Sequence, residues 1–130
     1  MFGVFGLSRS LYDSVYYRVK GKAKMPIRWM ATECFYGKFS QMSDVWAYGV
    51  TVWEIYTMAR EPPYPTLTDQ QLIEDALKGN YRTFLYKPSS CPKEVYYVLR
   101  NSCWAPDTKQ RAPFSELYLQ LVDVQSKLYN

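Results

Sequence analysis

Between Ser40 and Met58 the chain reads SQMSDVWAYGVTVWEIYTM, nineteen residues with no proline and no turn signal. Ser40 or Ser43 can cap the start of a helix there. The apolar residues Val45, Trp46, Val50, Val52, Trp53, Ile55 and Tyr56 do not keep to one stripe. Their β-branched members leave a strand conceivable, but so long an unbroken run favours helix. A helix that is apolar nearly all round belongs at the centre of a core. The rest of the chain is therefore expected to wrap around residues 40–58.

The chain beyond Met58 is helical by the same signals. REPPYPTLT breaks it with three prolines, and Thr68-Asp69-Gln70-Gln71 has the form of a capping box. It opens a helix that is expected to run to Lys78 and stop at Gly79, with Leu72, Ile73, Ala76 and Leu77 as its apolar face. Cys91-Pro92 starts another, with Pro92 suited to the first turn and Val95, Val98, Leu99 and Ser102 along it. Pro113 opens a last helix, with Phe114, Leu117, Tyr118, Leu121, Val124 and Leu128 at spacings of three and four. Four helices and almost no strand make one mainly α domain.

With 130 residues, 48% of them apolar, the chain has enough material for a core. Three cysteines, Cys34, Cys91 and Cys103, show no paired spacing, and there is no histidine. Zinc is not expected, and Ser-His or Cys-His nucleophile pairs are excluded. The cysteines read as small buried groups in a reducing compartment. No apolar run approaches the ~20 residues of a membrane helix, and no basic-then-apolar leader opens the chain. No membrane contact is expected within this segment.

The net charge of +4 arises largely from Arg9, Arg18, Lys20, Lys22, Lys24, Arg28 and Lys38. No groove-reading pattern accompanies these cations, so an anion on one loop is the simpler partner and nucleic acid is not expected. Residues 7–26 have little periodicity and read as a long loop, basic and rich in tyrosine, ending at Pro26, which disfavours helix at Met25.

Taken in order, FGLSR, YDSVYYR, PIRWMATE, SDVWAYGVTVWEIYT and CWAPDTKQRAPF resemble the lower part of a protein tyrosine kinase catalytic domain. The resemblance covers essentially the whole chain. Within that family, YYRVKGKAKMPIRWM, DVWAYGVTVWE, SSCPKEVYYVLRNSCW and DTKQR are most similar to the discoidin domain receptors. The implied fold is a partial C-lobe built around residues 40–58, without an N-lobe. Residues 1–30 would be the activation-loop and substrate-wall segment and 31–130 the helical subdomain.

The resemblance also implies roles. Val4-Phe5-Gly6 stands where the family has Asp-Phe-Gly, whose aspartate holds magnesium on the ATP phosphates; valine offers no oxygen. Tyr12, Tyr16 and Tyr17 fall in the activation-loop pattern, where phosphotyrosine can order a loop by pairing with cations such as Arg9, Arg18, Lys20 and Lys22. On the residues alone they read as ordinary exposed loop tyrosines. Pro26, Ile27, Arg28, Trp29 and Met30 resemble the wall that seats the residue after the acceptor tyrosine of a peptide; taken alone, Ile27, Trp29 and Met30 could be core.

Ala31-Thr32-Glu33 stands in place of Ala-Pro-Glu, and the resemblance implies that Glu33 pairs with Arg111. Thr32 departs from the family's proline, as does Ala112. Asp44 resembles the aspartate that holds the catalytic loop, while a carboxylate at a helix start is also favoured by the helix dipole.

The family's chemistry needs a glycine-rich loop, a strand lysine, a helix glutamate, a catalytic aspartate and metal-holding residues. The first four precede Phe-Gly in the family's order and are not in this chain, and the metal aspartate is Val4. ATP and Mg are thus cofactors of the intact family, with none expected here. The expected function is that of a fragment of a receptor-type tyrosine kinase, catalytically inactive alone and belonging to the cytoplasmic part of a longer parent. Its partners would be protein or peptide substrates, or intact kinase. The alternative is a degenerate, pseudokinase-like interaction module. Loss of neighbouring elements would expose Trp46, Val50, Trp53 or residues beside them and promote self-association.

Overall fold

The computed structural model describes residues 17–18, 24–78 and 85–129. Four α-helices carry this part: α1 Gln41–Thr57, α2 Asp69–Leu77, α3 Lys93–Val98 and α4 Phe114–Tyr129. Single 3-10 turns occupy Ile27–Trp29, Thr32–Tyr36 and Thr108–Gln110, and a π-helical segment, Leu99–Cys103, continues α3. The stretch read as one long loop contains an antiparallel ribbon. β1 Tyr17–Arg18 pairs with β2 Lys24–Met25, Tyr17 opposite Met25 and Arg18 opposite Lys24. Pro26 comes directly after β2 and holds Met25 in the extended region.

Both serines work at the head of α1. Ser40 is extended (φ −158°, ψ 179°) and its Oγ accepts from the Met42 amide at 3.1 Å, while Ser43 Oγ accepts from the Ser40 amide at 3.1 Å. At the other end Met58 (φ 57°) and Ala59 (φ 54°) are both left-handed. Their amides close the helix on the carbonyls of Ile55 and Glu54, at 3.0 and 2.9 Å. Such a stop normally uses glycine, because a Cβ is crowded there.

α1 is not buried all round. Its turn of about 100° per residue puts Val45, Trp46, Gly49, Val50 and Trp53 on one face, and all five are buried. Asp44, Tyr48 and Ile55 lie opposite and are exposed. Of the residues expected to be uncovered, Trp46, Val50 and Trp53 are instead buried in one core cluster, and it is Tyr48 and Ile55 beside them that meet solvent, Ile55 at 68%. Gly49 permits this packing. A Cβ there would lie 2.7 Å from Trp104 Nε1 and 2.8 Å from Cys103 Cβ.

The capping box of α2 forms as spelled: Thr68 Oγ1 accepts from the Gln71 amide at 3.1 Å and Gln71 Oε1 from the Thr68 amide at 2.9 Å. α2 ends at Leu77 with Lys78 as its cap; Gly79, the expected stop, lies outside the described residues. Pro92 caps α3 from just before its first turn. In α4 only Leu117 is fully buried; Phe114 (43%) and Tyr118 (67%) are exposed, so the expected six-residue apolar face is only partly covered.

Three hydrogen bonds bind residues 85–96 to each other and to α1. Trp53 Nε1 donates to the Tyr86 carbonyl at 2.7 Å, Ser90 Oγ to the Tyr56 carbonyl at 2.7 Å, and the Tyr96 hydroxyl to the Leu85 carbonyl at 2.5 Å. Cys34, Cys91 and Cys103 are all free and buried. Burial pushes the Cys103 thiol up to about 12. Trp29 belongs to the same core as Ala31, Cys34 and Val45. Among the described residues, no helix is long and apolar enough to cross a membrane.

Candidate functional site

The centre of the site is an ion pair between residues 78 positions apart. The Arg111 fork meets the Glu33 carboxylate with both ends, Nη1 to Oε2 at 2.7 Å and Nη2 to Oε1 at 2.8 Å. Its remaining donors reach carbonyls: Nε to Ala105 at 2.8 Å and Nη1 to Met42 at 3.0 Å. The guanidinium also lies 4.9 Å over the Trp46 ring, a favourable seat for a cation on a π face. Ser43 Oγ donates to Glu33 Oε2 at 2.9 Å. One buried arginine thus welds the Thr32–Tyr36 turn, the head of α1 and the chain from Ala105 to Arg111.

Burial works to raise the Glu33 pKa, but the bonds from Arg111, its own backbone and Ser43, with the Arg111 charge, outweigh it. The carboxyl sits below its usual range and stays ionised. Bidentate geometry of this kind fixes direction as well as distance.

The segment 26–30 is turned mostly inward. Ile27, Arg28 and Trp29 are buried, at 4%, 7% and 3% exposure, and only Pro26 and Met30 stay partly accessible. Ile27, Arg28 and Trp29 thus belong to the core, where the sequence alone also allowed Ile27 and Trp29 to lie. The physical reason is in their partners. Arg28 spends its guanidinium on the carbonyls of Pro63 (2.8 Å), Tyr64 (3.0 Å) and Leu67 (2.9 Å) and on Asp69 Oδ1 (2.9 Å). Trp29 Nε1 donates to Glu54 Oε1 at 2.7 Å.

Asp44 is exposed in the first turn of α1, where a negative charge complements the helix dipole. Tyr17 lies in β1. Val4, Tyr12 and Tyr16 lie outside the described residues. Glu33, Ser43 and Arg111 are brought together, whereas Arg28 and Trp29 make separate anchors.

Sequence reasoning missed Glu54 and Asp69 as partners. Glu54 had a signal: an acid in the interior of an apolar helix must find a donor, since a buried carboxylate is costly unpaired. Asp69 had none, because it reads as an ordinary first-turn acid. Chemically the arrangement anchors and orients. Among the described residues, no three His, Cys, Asp or Glu side chains converge to hold a metal ion.

A model of the protein tyrosine and serine/threonine kinase family matches residues 2–121. The chain is 46% identical over 126 residues to the epithelial discoidin domain-containing receptor 1 of Rattus norvegicus, covering 92% of the chain and 14% of that receptor. It is 61% identical over 84 residues to a class II receptor tyrosine kinase of Geodia cydonium, covering 65% of the chain and 14% of the relative. The discoidin domain-containing receptor tyrosine kinase B of Caenorhabditis elegans is 41% identical over 122 residues, with 90% of the chain and 15% of the relative covered. The chain thus spans about one seventh of the length of these relatives.

Proposed function

The chain belongs to the protein tyrosine and serine/threonine kinase family, and on that premise we propose that it is the helical lower part of a receptor-type tyrosine kinase domain. In that domain it would carry the activation loop, with Tyr12, Tyr16 and Tyr17 as phosphate acceptors. Pro26 and Met30 would offer the accessible edge of the peptide seat, and Arg28, Trp29, Glu33 and Arg111 would hold that seat in place. The observation that carries the reading is 46% identity across 92% of the chain. The weld at Arg111 supports it, because a peptide seat needs a fixed base. Its side of the membrane would be the cytoplasmic one.

The intact family uses ATP and Mg. The residues of this chain do not fit that pair: Val4 brings no oxygen to the metal position, and among the described acids Glu33, Glu54 and Asp69 are committed to Arg111, Trp29 and Arg28. Alone, the chain would transfer no phosphate. The test is a chimera in which residues 5–130 replace the matching part of a discoidin receptor kinase domain that keeps its own metal aspartate. Phosphorylation of a tyrosine copolymer by the chimera, with none by the isolated chain, is the expected result. A folded chimera that is inert overturns the reading.

A second reading, a non-catalytic interaction module, is favoured by the exposed apolar strip on α1 and α4. Tyr48 meets Phe114 edge to face at 5.8 Å, and Ile55, two turns along α1 from Tyr48, and Tyr118, one turn along α4 from Phe114, are exposed as well. Activity of the chimera would turn against it.

A further inference from the structure

Tyr36 ends the Thr32–Tyr36 turn 60% exposed, yet its hydroxyl donates to the Leu77 carbonyl at 2.6 Å, 41 residues away. Leu77 is the last residue of α2, so this phenol satisfies one of the carbonyls that a helix leaves unpaired at its C-terminus. Residues 36–41 are all exposed, and 38–40 carry no regular structure. Gly37 leaves the turn at φ 82°. The segment is open to another enzyme. Beside the ring lies a cleft of about 460 Å³, lined also by Thr32, Lys38, Ser40 and Thr108. Its two acids are already engaged, Glu33 with Arg111 and Asp107 with the Lys109 amide at 2.9 Å.

We propose that Tyr36 is a phosphorylation site whose modification unlatches the end of α2. The reaction is phosphoryl transfer from ATP by a protein-tyrosine kinase acting on this chain. The bond from Tyr36 Oη to the γ-phosphorus forms, and the bond from that phosphorus to the β,γ-bridging oxygen breaks. The electron pair leaves on ADP, and the phenolic proton passes to the kinase's base. The ester oxygen then has no hydrogen for Leu77. A group of about −1.5 to −2 charges would face the negative end of α2. Acceptor meets acceptor, and the ring turns toward the cleft, where Lys38 and the three hydroxyls supply donors. This stands whether or not the chain serves a kinase domain.

The full chain is treated with a purified protein-tyrosine kinase and Mg-ATP, its phosphotyrosines are mapped by mass spectrometry, and amide exchange is read at residues 74–78. Phosphate on Tyr36, with exchange at 74–78 accelerated about tenfold or more, is the expected result. Tyr36→Phe, which loses the hydrogen bond but gains no charge, speeds exchange about fivefold, the worth of one ordinary bond. The proposal is overturned if Tyr97 and Tyr118, comparably exposed, accept phosphate while Tyr36 does not. It is equally overturned if phosphorylated Tyr36 leaves exchange at 74–78 unchanged.

Discussion

Glu33 and Arg111 show what a single side chain holds in this molecule. Arg111→Ala strands a carboxylate that is only 16% exposed and should cost about 3 kcal/mol or more, the usual penalty for breaking a buried pair, measurable by urea unfolding. The folded pKa of Glu33 lies below its ordinary value, so its stabilising contribution is present in full above the unfolded pKa. It is lost as pH falls through the folded one. Glu33→Gln should therefore flatten the acid limb of the stability profile below about pH 4.5, the ordinary carboxyl value, and leave no such step. Gly49→Ala drives a methyl into Trp104 and Cys103 and should cost about 1–3 kcal/mol. The ion pair could be expected only through the resemblance, since nothing local links positions 78 apart. Gly49 inside an apolar helix was visible, but what approached it was not.

At the scale of elements, local chemistry was legible wherever it acts within a few residues. Ser40, Thr68 and Gln71 spell their caps in the sequence, and the ends of α1 and α2 fall within a residue of expectation. Ser40→Ala should lower stability by about 1 kcal/mol, read as a drop in melting temperature without change of fold. The π-segment after α3 was not legible, because its wider turn leaves no mark in the apolar spacing. The stop of α1 was hidden for a different reason. Met58 and Ala59 take left-handed backbone that their residue types do not advertise. Ala59→Gly should relieve that strain and stabilise by up to ~1 kcal/mol.

At the scale of the molecule, the central position of residues 40–58 was readable from their composition, but which side would be covered was not. That depends on partners of other elements, chosen by contacts between distant residues. Ile55, Tyr48, Phe114 and Tyr118 all expose large apolar side chains, the kind of surface that self-associates where it is contiguous. Sedimentation should show weight growing with concentration, and Ile55→Lys with Tyr118→Lys should reduce it; an unchanged monomer in both would remove the strip as a contact surface. The weld at Arg111 has another consequence. Together with the bonds from Trp53 to Tyr86 and from Ser90 to Tyr56, it joins the part before Lys78 to the part after Leu85 without help from the peptide chain between them. Two separate polypeptides, 1–78 and 85–130, carry complementary halves of one core, and mixing them should rebuild it as a split protein whose reassembly fails when either Glu33 or Arg111 is replaced.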